Sequence, residues 1–456
     1  MTRRTVWILV TSAGLVMLIC VGVLVWGLMA FLSGGRVGPL IADLKARGEP
    51  IRAADVAPPR VPDSRNAAVV YAKAFKLLPK NEADRNLREL SDLVSRAGRR
   101  IDPKQWQQAR RTLSQYKNAL VLAEKAAARS KCAFPIDWAQ GIEVELPHLR
   151  KLRMLVELLT AQALIEAHSG RANKALRSIN LAVKTAEALR DEPILVSYLA
   201  RVALLNTTLR RLTDICSQGP IDPEEARRLD ATLSRIELVR TGVNALRGER
   251  AFGIDLCEQL IQGSFGDRRR APAGGGQPDV LGKIPAPGHA VLRTVFRRDQ
   301  AYYIRAMTDS IDHADLPYRT LVVNSRSAPT KRDSPPSYAI VSSAMLPRLG
   351  RILYTRDSCV ARIAGSRILL ALGTYRGRFR FYPAALSELP ARLDWTPPPD
   401  PFTGKDFVYK RQGAGFLLYS IGPNLEDDGG AEPKPSKRQA FAIPSGDIPW
   451  RIDRAR

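Results

Sequence analysis

The sequence predicts a mainly α protein with a small C-terminal α+β module, carried on an N-terminal transmembrane helix. Three observations predict it. Residues Thr5 to Leu32 carry no charge. Between residues 66 and 262, apolar residues recur at helical spacing. Towards the C-terminus aromatics and prolines crowd together, and two strand-like runs flank a glycine turn.

The bulk numbers bound the problem. A chain of 456 residues has room for two or three domains. A hydrophobic fraction of 45% and a charged fraction of 25% belong to a folded protein and not to a disordered one. The formal net charge of +25 points to an anionic partner, lipid or polymer. The basic runs Arg268–Arg270 and Lys331–Arg332 sit in glycine- and proline-rich stretches without interleaved aromatics, which leaves nucleic acid unsupported as a partner.

Residues 1–34 read as a short cytoplasmic N-terminus and a membrane anchor. As a helix, Thr5–Leu32 would be about 42 Å long, enough for a hydrocarbon core of about 30 Å. A cleaved signal peptide has a shorter apolar core, so the anchor is expected to be retained. Arg3 and Arg4 precede the run and favour the cytoplasm. The bulk of the chain is then expected outside, in the cell envelope, although Arg36, Lys45 and Arg47 follow closely. Residues 35–65, with "VGPL" and "VAPPRVP", read as a linker.

Residues 66–262 read as a helical bundle or solenoid. Apolar positions 149, 152, 155, 158, 159, 163 and 164 share one helical face. After Gly170, residues Ala175, Ile179, Ala182, Ala186 and Leu189 share another. A further helix is expected from Pro193 to near Gly219. Asp222 then supplies an N-cap, Pro223 a first turn, and Glu224 and Glu225 face the positive end of the helix dipole. Gly170, Ala175 and Ala182 stand at the spacing of tetratricopeptide-type repeats, which this helix pair resembles. No 34-residue period extends the resemblance.

Residues 263–337 read as a loop-rich connection holding a short helix at about 291–312. A long helix is expected over 338–375, broken near Pro347–Gly350. "YPAALSELP" follows it (Tyr382–Pro390), then "PPPDPFTGKDFVYK" (Pro397–Lys410), the turn "GAG" (Gly413–Gly415), "FLLYSIGPN" (Phe416–Asn424) and "GDIPWRI" (Gly446–Ile452). The two strands across the glycine turn are a hairpin signal.

This order of motifs resembles the C-terminal part of the major pseudopilin of type II secretion systems. It also resembles the same module at the end of large membrane-anchored bacterial proteins that carry a helical region before it. The resemblance covers roughly residues 360–452, and the pseudopilin-like module is set at 338–456. It implies a calcium site in the loop after Y-S-x-G. Matched by position, the Ile421 carbonyl, the Asn424 side chain and the Asp447 carboxylate would be ligands, with Asp427 and Asp428 in the loop between. Calcium takes six to eight such oxygens. The chain departs from the pattern in two places. Asn424 replaces the usual Asp, with Leu425 in place of the glycine beside it. The membrane segment opens "MTRRTVWILV", without the glutamate that follows a pilin cleavage site. Processing and polymerisation like a pilin are therefore not expected.

No catalytic constellation emerges. His148, His168, His289 and His313 are isolated, and none belongs to H-E-x-x-H. "SQYK" (Ser114–Lys117) and "SIN" (Ser178–Asn180) lack the K-T-G strand of serine enzymes. Glu249 and Asp255 stand near Arg247 and Arg250 and are expected to form salt bridges with them. The five cysteines have no C-x-x-C spacing; buried thiols or two disulfides among Cys132, Cys216, Cys257 and Cys359 are open alternatives. The expected class is a non-enzymatic scaffold or interaction protein of the bacterial envelope, linked to other envelope proteins and to a secretion-like assembly. The alternative is a membrane-anchored envelope hydrolase with an unfamiliar site.

Overall fold

The computed structural model describes residues 37–80, 85–96, 102–262, 286–327, 335–431 and 446–452, together with Met17, Val21 and Gly22. Apart from those three positions, the transmembrane helix expected at Thr5–Leu32 lies outside the described residues. Among the described residues no helix is long and apolar enough to cross a membrane. The described chain is mainly helical, with a small three-stranded antiparallel sheet at its C-terminal end.

The helices run in order as α1 (Val37–Ala46), α2 (Ala67–Phe75), α3 (Arg85–Arg96), α4 (Pro103–Gln115), α5 (Lys117–Ala127), α6 (Pro147–His168), α7 (Ala172–Ala186), α8 (Leu195–Leu209), α9 (Leu212–Ser217), α10 (Pro223–Leu233), α11 (Leu238–Gln262), α12 (Ala286–Asp312), α13 (Tyr318–Ser327), α14 (Ile340–Met345), α15 (Leu349–Phe379) and α16 (Glu388–Leu393). The strands are β1 (Val408–Gln412), β2 (Gly415–Ser420) and β3 (Ile448–Ile452).

Helix α6 is the centre of the N-terminal bundle. Its expected face is buried, and so are Met154, Val156, Ala161 and Ile165 on its other sides. Helices α3, α4, α7 and α8 pack around it, which explains why it buries residues on more than one face. It ends in a Schellman motif: Gly170 N donates to Ala167 O, and Arg171 N to Glu166 O. Helix α7 then returns with Ala175, Ile179, Ala182 and Ala186 fully buried. Helix α10 starts as its sequence prescribes, with the Asp222 side chain accepting from Glu224 N at 2.7 Å. Pro347 separates α14 from α15; Leu346 before it is extended, as a residue preceding proline must be.

The stretch read as a linker is corrected by the structure. Val37 and Leu44 of α1 pack on Ile254, Ala301 and Ile304. Ala53 and Val56 pack on Trp138, Ile194 and Phe252. Glu49 forms an ion pair with the fully buried Arg250. Val37, Leu44, Ala53 and Val56 each belong to a cluster that includes residues of α11 or α12, and the spaced prolines concealed this.

The sheet has the order β1-β2-β3. Val408 pairs with Tyr419 and Gln412 with Gly415, and on the other side Phe416 pairs with Ile452 and Ser420 with Ile448. All six residues of β2 are buried, because it lies between two strands and under α15. One hydrophobic core runs from Ala67 to Ile452 without a break. Helix α15 packs on α8, α9 and α10 as well as on β2 and β3, so it belongs to bundle and sheet alike.

Candidate functional site

The loop after β2 is positioned by two buried aspartates. Asp400, in D-P-F-T-G, accepts from Phe402 N at 3.0 Å and Ser420 Oγ at 2.9 Å through Oδ1, and from Ile421 N at 3.3 Å through Oδ2. Burial raises its pKa; the Phe402 amide, Ser420 and Ile421 oppose that. The aspartate therefore joins the turn before β1 to the end of β2. Gly422 comes next, with φ 69° and an ideal Cβ position only 2.2 Å from the Gly446 carbonyl oxygen. Only glycine permits both that conformation and that approach.

Across this contact lies Asp447, fully buried. Its amide donates to Ala431 O, and its Oδ2 accepts from Gly430 N at 2.6 Å. Its Oδ1 is buried without a hydrogen-bond partner. The Asp428 amide faces the carboxylate without reaching hydrogen-bond geometry. Burial raises the Asp447 pKa, the Gly430 and Asp428 amides lower it, and the Asp428 and Asp427 carboxylates raise it further.

The remaining acids are directed elsewhere. Asp427 Oδ1 accepts from Tyr419 Oη at 2.8 Å and from Gly429 N at 2.9 Å. The Gly429 amide and the Tyr419 hydroxyl hold its pKa low. Asp428 Oδ2 accepts from Asn424 Nδ2 at 2.7 Å, and Asn424 Oδ1 accepts from Glu426 N. The expected ligand set of Ile421, Asn424, Asp427, Asp428 and Asp447 is thus gathered in one loop but not aimed at one point. Among the described residues no three acidic, histidine or cysteine side chains are grouped to hold a metal. The orphaned Asp447 oxygen fits a cation; Asp427, turned to Tyr419, and Asn424, presenting its amide nitrogen to Asp428, do not. In this arrangement the Asp427 and Asp428 carboxylates lie near Asp447 while being bonded to Tyr419 and Asn424. Of the three adjacent acids, Asp427 and Asp428 are turned to different hydrogen-bond partners.

Two of the isolated histidines, His148 and His168, are packing groups. His168 stacks on Trp106 with ring centroids 4.4 Å apart. His148 stacks on Phe134 at 4.3 Å, and its Nε2 lies 2.8 Å from Glu192 Oε1. Both groups are buried, and the geometry leaves His148 Nε2 and both Glu192 oxygens without a hydrogen bond. Nothing in the spacing of the sequence marks this pair, which is brought together across 44 residues by the turn after α7. Cys132 lies close to it, but burial, then Glu192 and Asp191, push its thiol up to about 12. A nucleophilic cysteine needs the opposite shift.

The expected salt bridge of Glu249 to Arg247 or Arg250 is also corrected. Arg250 pairs with Glu49, and Arg247 reaches Asn244. Glu249 instead faces the amide of Leu195 at the start of α8, while burial raises its pKa. A surface cleft of about 590 Å³ beside the start of α11 is lined by Leu238, Val239, Val243, Val360, Arg240 and Arg247. Its glutamate, Glu237, is held by Arg240. The described cysteines, Cys132, Cys216, Cys257 and Cys359, are free thiols.

No protein-family model matches the chain, and neither does any curated protein or solved structure.

Proposed function

We propose that the chain is a single-pass envelope protein, anchored by Thr5–Leu32, whose extracytoplasmic bulk is a non-enzymatic scaffold. The observation that carries this reading is how the buried charged groups are used. Arg201 is forked onto Glu187 at 2.8 and 2.9 Å and bonded to Thr241. Arg356 holds Asp357 and the carbonyls of Ala314 and Leu316. Asp299 accepts from Val341 N and Ser342 N at the start of α14. Asp400 joins a turn to a strand. Each is consumed in holding segments together, and none faces a cleft with a second reactive group, as catalysis requires.

The pseudopilin-like order of motifs supports a role beside other envelope proteins in a secretion-like assembly. The hairpin β1–β2 and the Asp400 turn agree with that order. Calcium is not part of this proposal. Two measurements test the reading. A reporter active only in the cytoplasm, fused after Arg456, should be silent; activity would invert the topology. The purified full chain should not hydrolyse peptidoglycan, polysaccharide or ester substrates. Hydrolysis lost in Glu192→Gln or His148→Gln, with melting unchanged, would favour the envelope hydrolase.

A further inference from the structure

The long helix α15 ends in an alternation of arginine with glycine and phenylalanine, Arg376-Gly-Arg-Phe-Arg-Phe381. Arginines at a helix C-terminus have an ordinary use, since they complement the helix dipole. Arg376 and Arg378 lie in that last turn. The structure adds others from elsewhere. The guanidiniums of Arg378 and Arg392, the latter on α16, lie 5.3 and 5.7 Å from the Phe379 ring centre. Arg411, on β1, lies 5.7 Å from the Phe381 ring centre. The two rings are 6.4 Å apart. Arg380 stands between them, exposed and in the left-handed conformation with φ 69°.

Three further features distinguish this patch. Phe381 is 49% exposed, although it touches Tyr375 and Phe379. Among the described residues none of Arg376, Arg378, Arg380, Arg392 and Arg411 makes an ion pair, whereas Arg201, Arg228, Arg250, Arg356 and Arg367 all do. The nearby Glu388 is taken by the Tyr375 hydroxyl and by the amides of Ala384 and Ala385. Three separate segments thus bring positive charge to two neighbouring rings, one of them exposed, with Glu388 as the nearby acid and no ion pair to any of the five arginines among the described residues. Self-repulsion of that kind is relieved by an anionic partner.

We infer that this patch rests on a bilayer containing anionic phospholipid, with Phe381 at the boundary between headgroups and acyl chains and the arginines on lipid phosphates. Arginine forks match phosphate oxygens, and an exposed aromatic ringed by cations suits that boundary. A single-stranded nucleic acid fits less well. It stacks bases on open aromatic faces, and guanidinium groups already lie over these rings. The inference deepens the anchored reading, which it uses to bring the patch near a bilayer.

The test uses the full chain with Phe381→Trp, mixed with phosphatidylcholine vesicles that contain or lack phosphatidylglycerol, the acyl chains being brominated near the headgroup. Emission beyond that of the parent chain reports residue 381. Its quenching should appear with phosphatidylglycerol and be weak without it. Arg380→Glu, Arg392→Glu and Arg411→Glu should each reduce the engaged fraction several-fold, and Arg392→Lys should retain most of it. Each cation near an anionic surface is worth about 1 kcal/mol, or about fivefold. These positions are exposed, so circular dichroism should be unchanged. Equal quenching in both vesicle types, or none in either, overturns the inference. Binding of oligothymidylate that the same charge reversals abolish also overturns it, in favour of nucleic acid. Flotation with plain phosphatidylcholine vesicles reads the anchor separately. A chain that fails to float there refutes the anchor, and the patch is then read by flotation with phosphatidylglycerol alone.

Discussion

Gly365 of α15 lies directly against the indole of Trp450 of β3. A Cβ at residue 365 would stand 2.3 Å from the ring. Trp450 is itself 2% exposed and meets Phe407 edge-on at 5.9 Å. This contact sets the distance between the long helix and the sheet. Gly365→Ala should therefore cost about 1–3 kcal/mol, the usual penalty of an overfilled core. Urea unfolding followed by tryptophan emission checks it. A midpoint equal to that of the parent chain would mean that the seam can open without cost.

Arg201 carries a second, independent test. It is fully buried, and its fork onto Glu187 joins α8 to the turn after α7. Arg201→Ala leaves a carboxylate without its partner and should destabilise by about 3–5 kcal/mol. Arg201→Met combined with Glu187→Met removes both charges and should cost much less. Chemical denaturation of the two variants compares them; equal losses would show that packing and not charge carries the effect.

The acidic loop should respond to charge and not to calcium. Asp447 has a raised pKa, so its ionised form is the less favoured one in the fold. The associated stability is fully present below the ordinary carboxylate pKa of 3.8 and is lost as the pH rises through the higher folded value. Asp447→Asn keeps an acceptor for Gly430 N and removes the buried charge. Its melting temperature should equal or exceed that of the parent at neutral pH, with the difference closing in acid. Asp447→Ala strands the Gly430 amide and should cost about 1–3 kcal/mol. Melting in calcium and in chelator should coincide. A calcium-dependent rise that Asp427→Ala or Asp447→Asn abolishes would restore the calcium site.

The buried thiols give a pH signature at the other end. Burial pushes Cys132, Cys216, Cys257 and Cys359 each up to about 12. All four are therefore neutral in the fold at physiological pH. Their contribution is fully present below the ordinary thiol pKa of 9.0 and is lost as the pH rises through about 12. With Cys20→Ser, a disulfide-type thiol reagent at pH near 8 should label nothing quickly in the native chain and four thiols after denaturation. Rapid labelling of Cys132 in the native chain would show an accessible, reactive site.

Local signals in the sequence were enough for much of the helical layout. Gly170 ends one helix, Asp222 and Pro223 begin another, Pro347 breaks a third, and Gly413–Gly415 turns a hairpin. Each acts within a single turn of chain, through a cap bond or a missing amide, so neighbouring residues suffice to read it. Periodicity likewise marked the buried faces of α6 and α7. It could not say what those faces meet. The docking of Val37–Val56, the choice of Glu49 over a nearer acid for Arg250, the Tyr419 hydroxyl on Asp427, and the arginines around Phe379 and Phe381 all join residues from separate elements. Those pairings depend on which surfaces are pressed together once the core closes. Charge and hydrogen-bond partners are then chosen by proximity in space, and spacing along the chain carries no record of that.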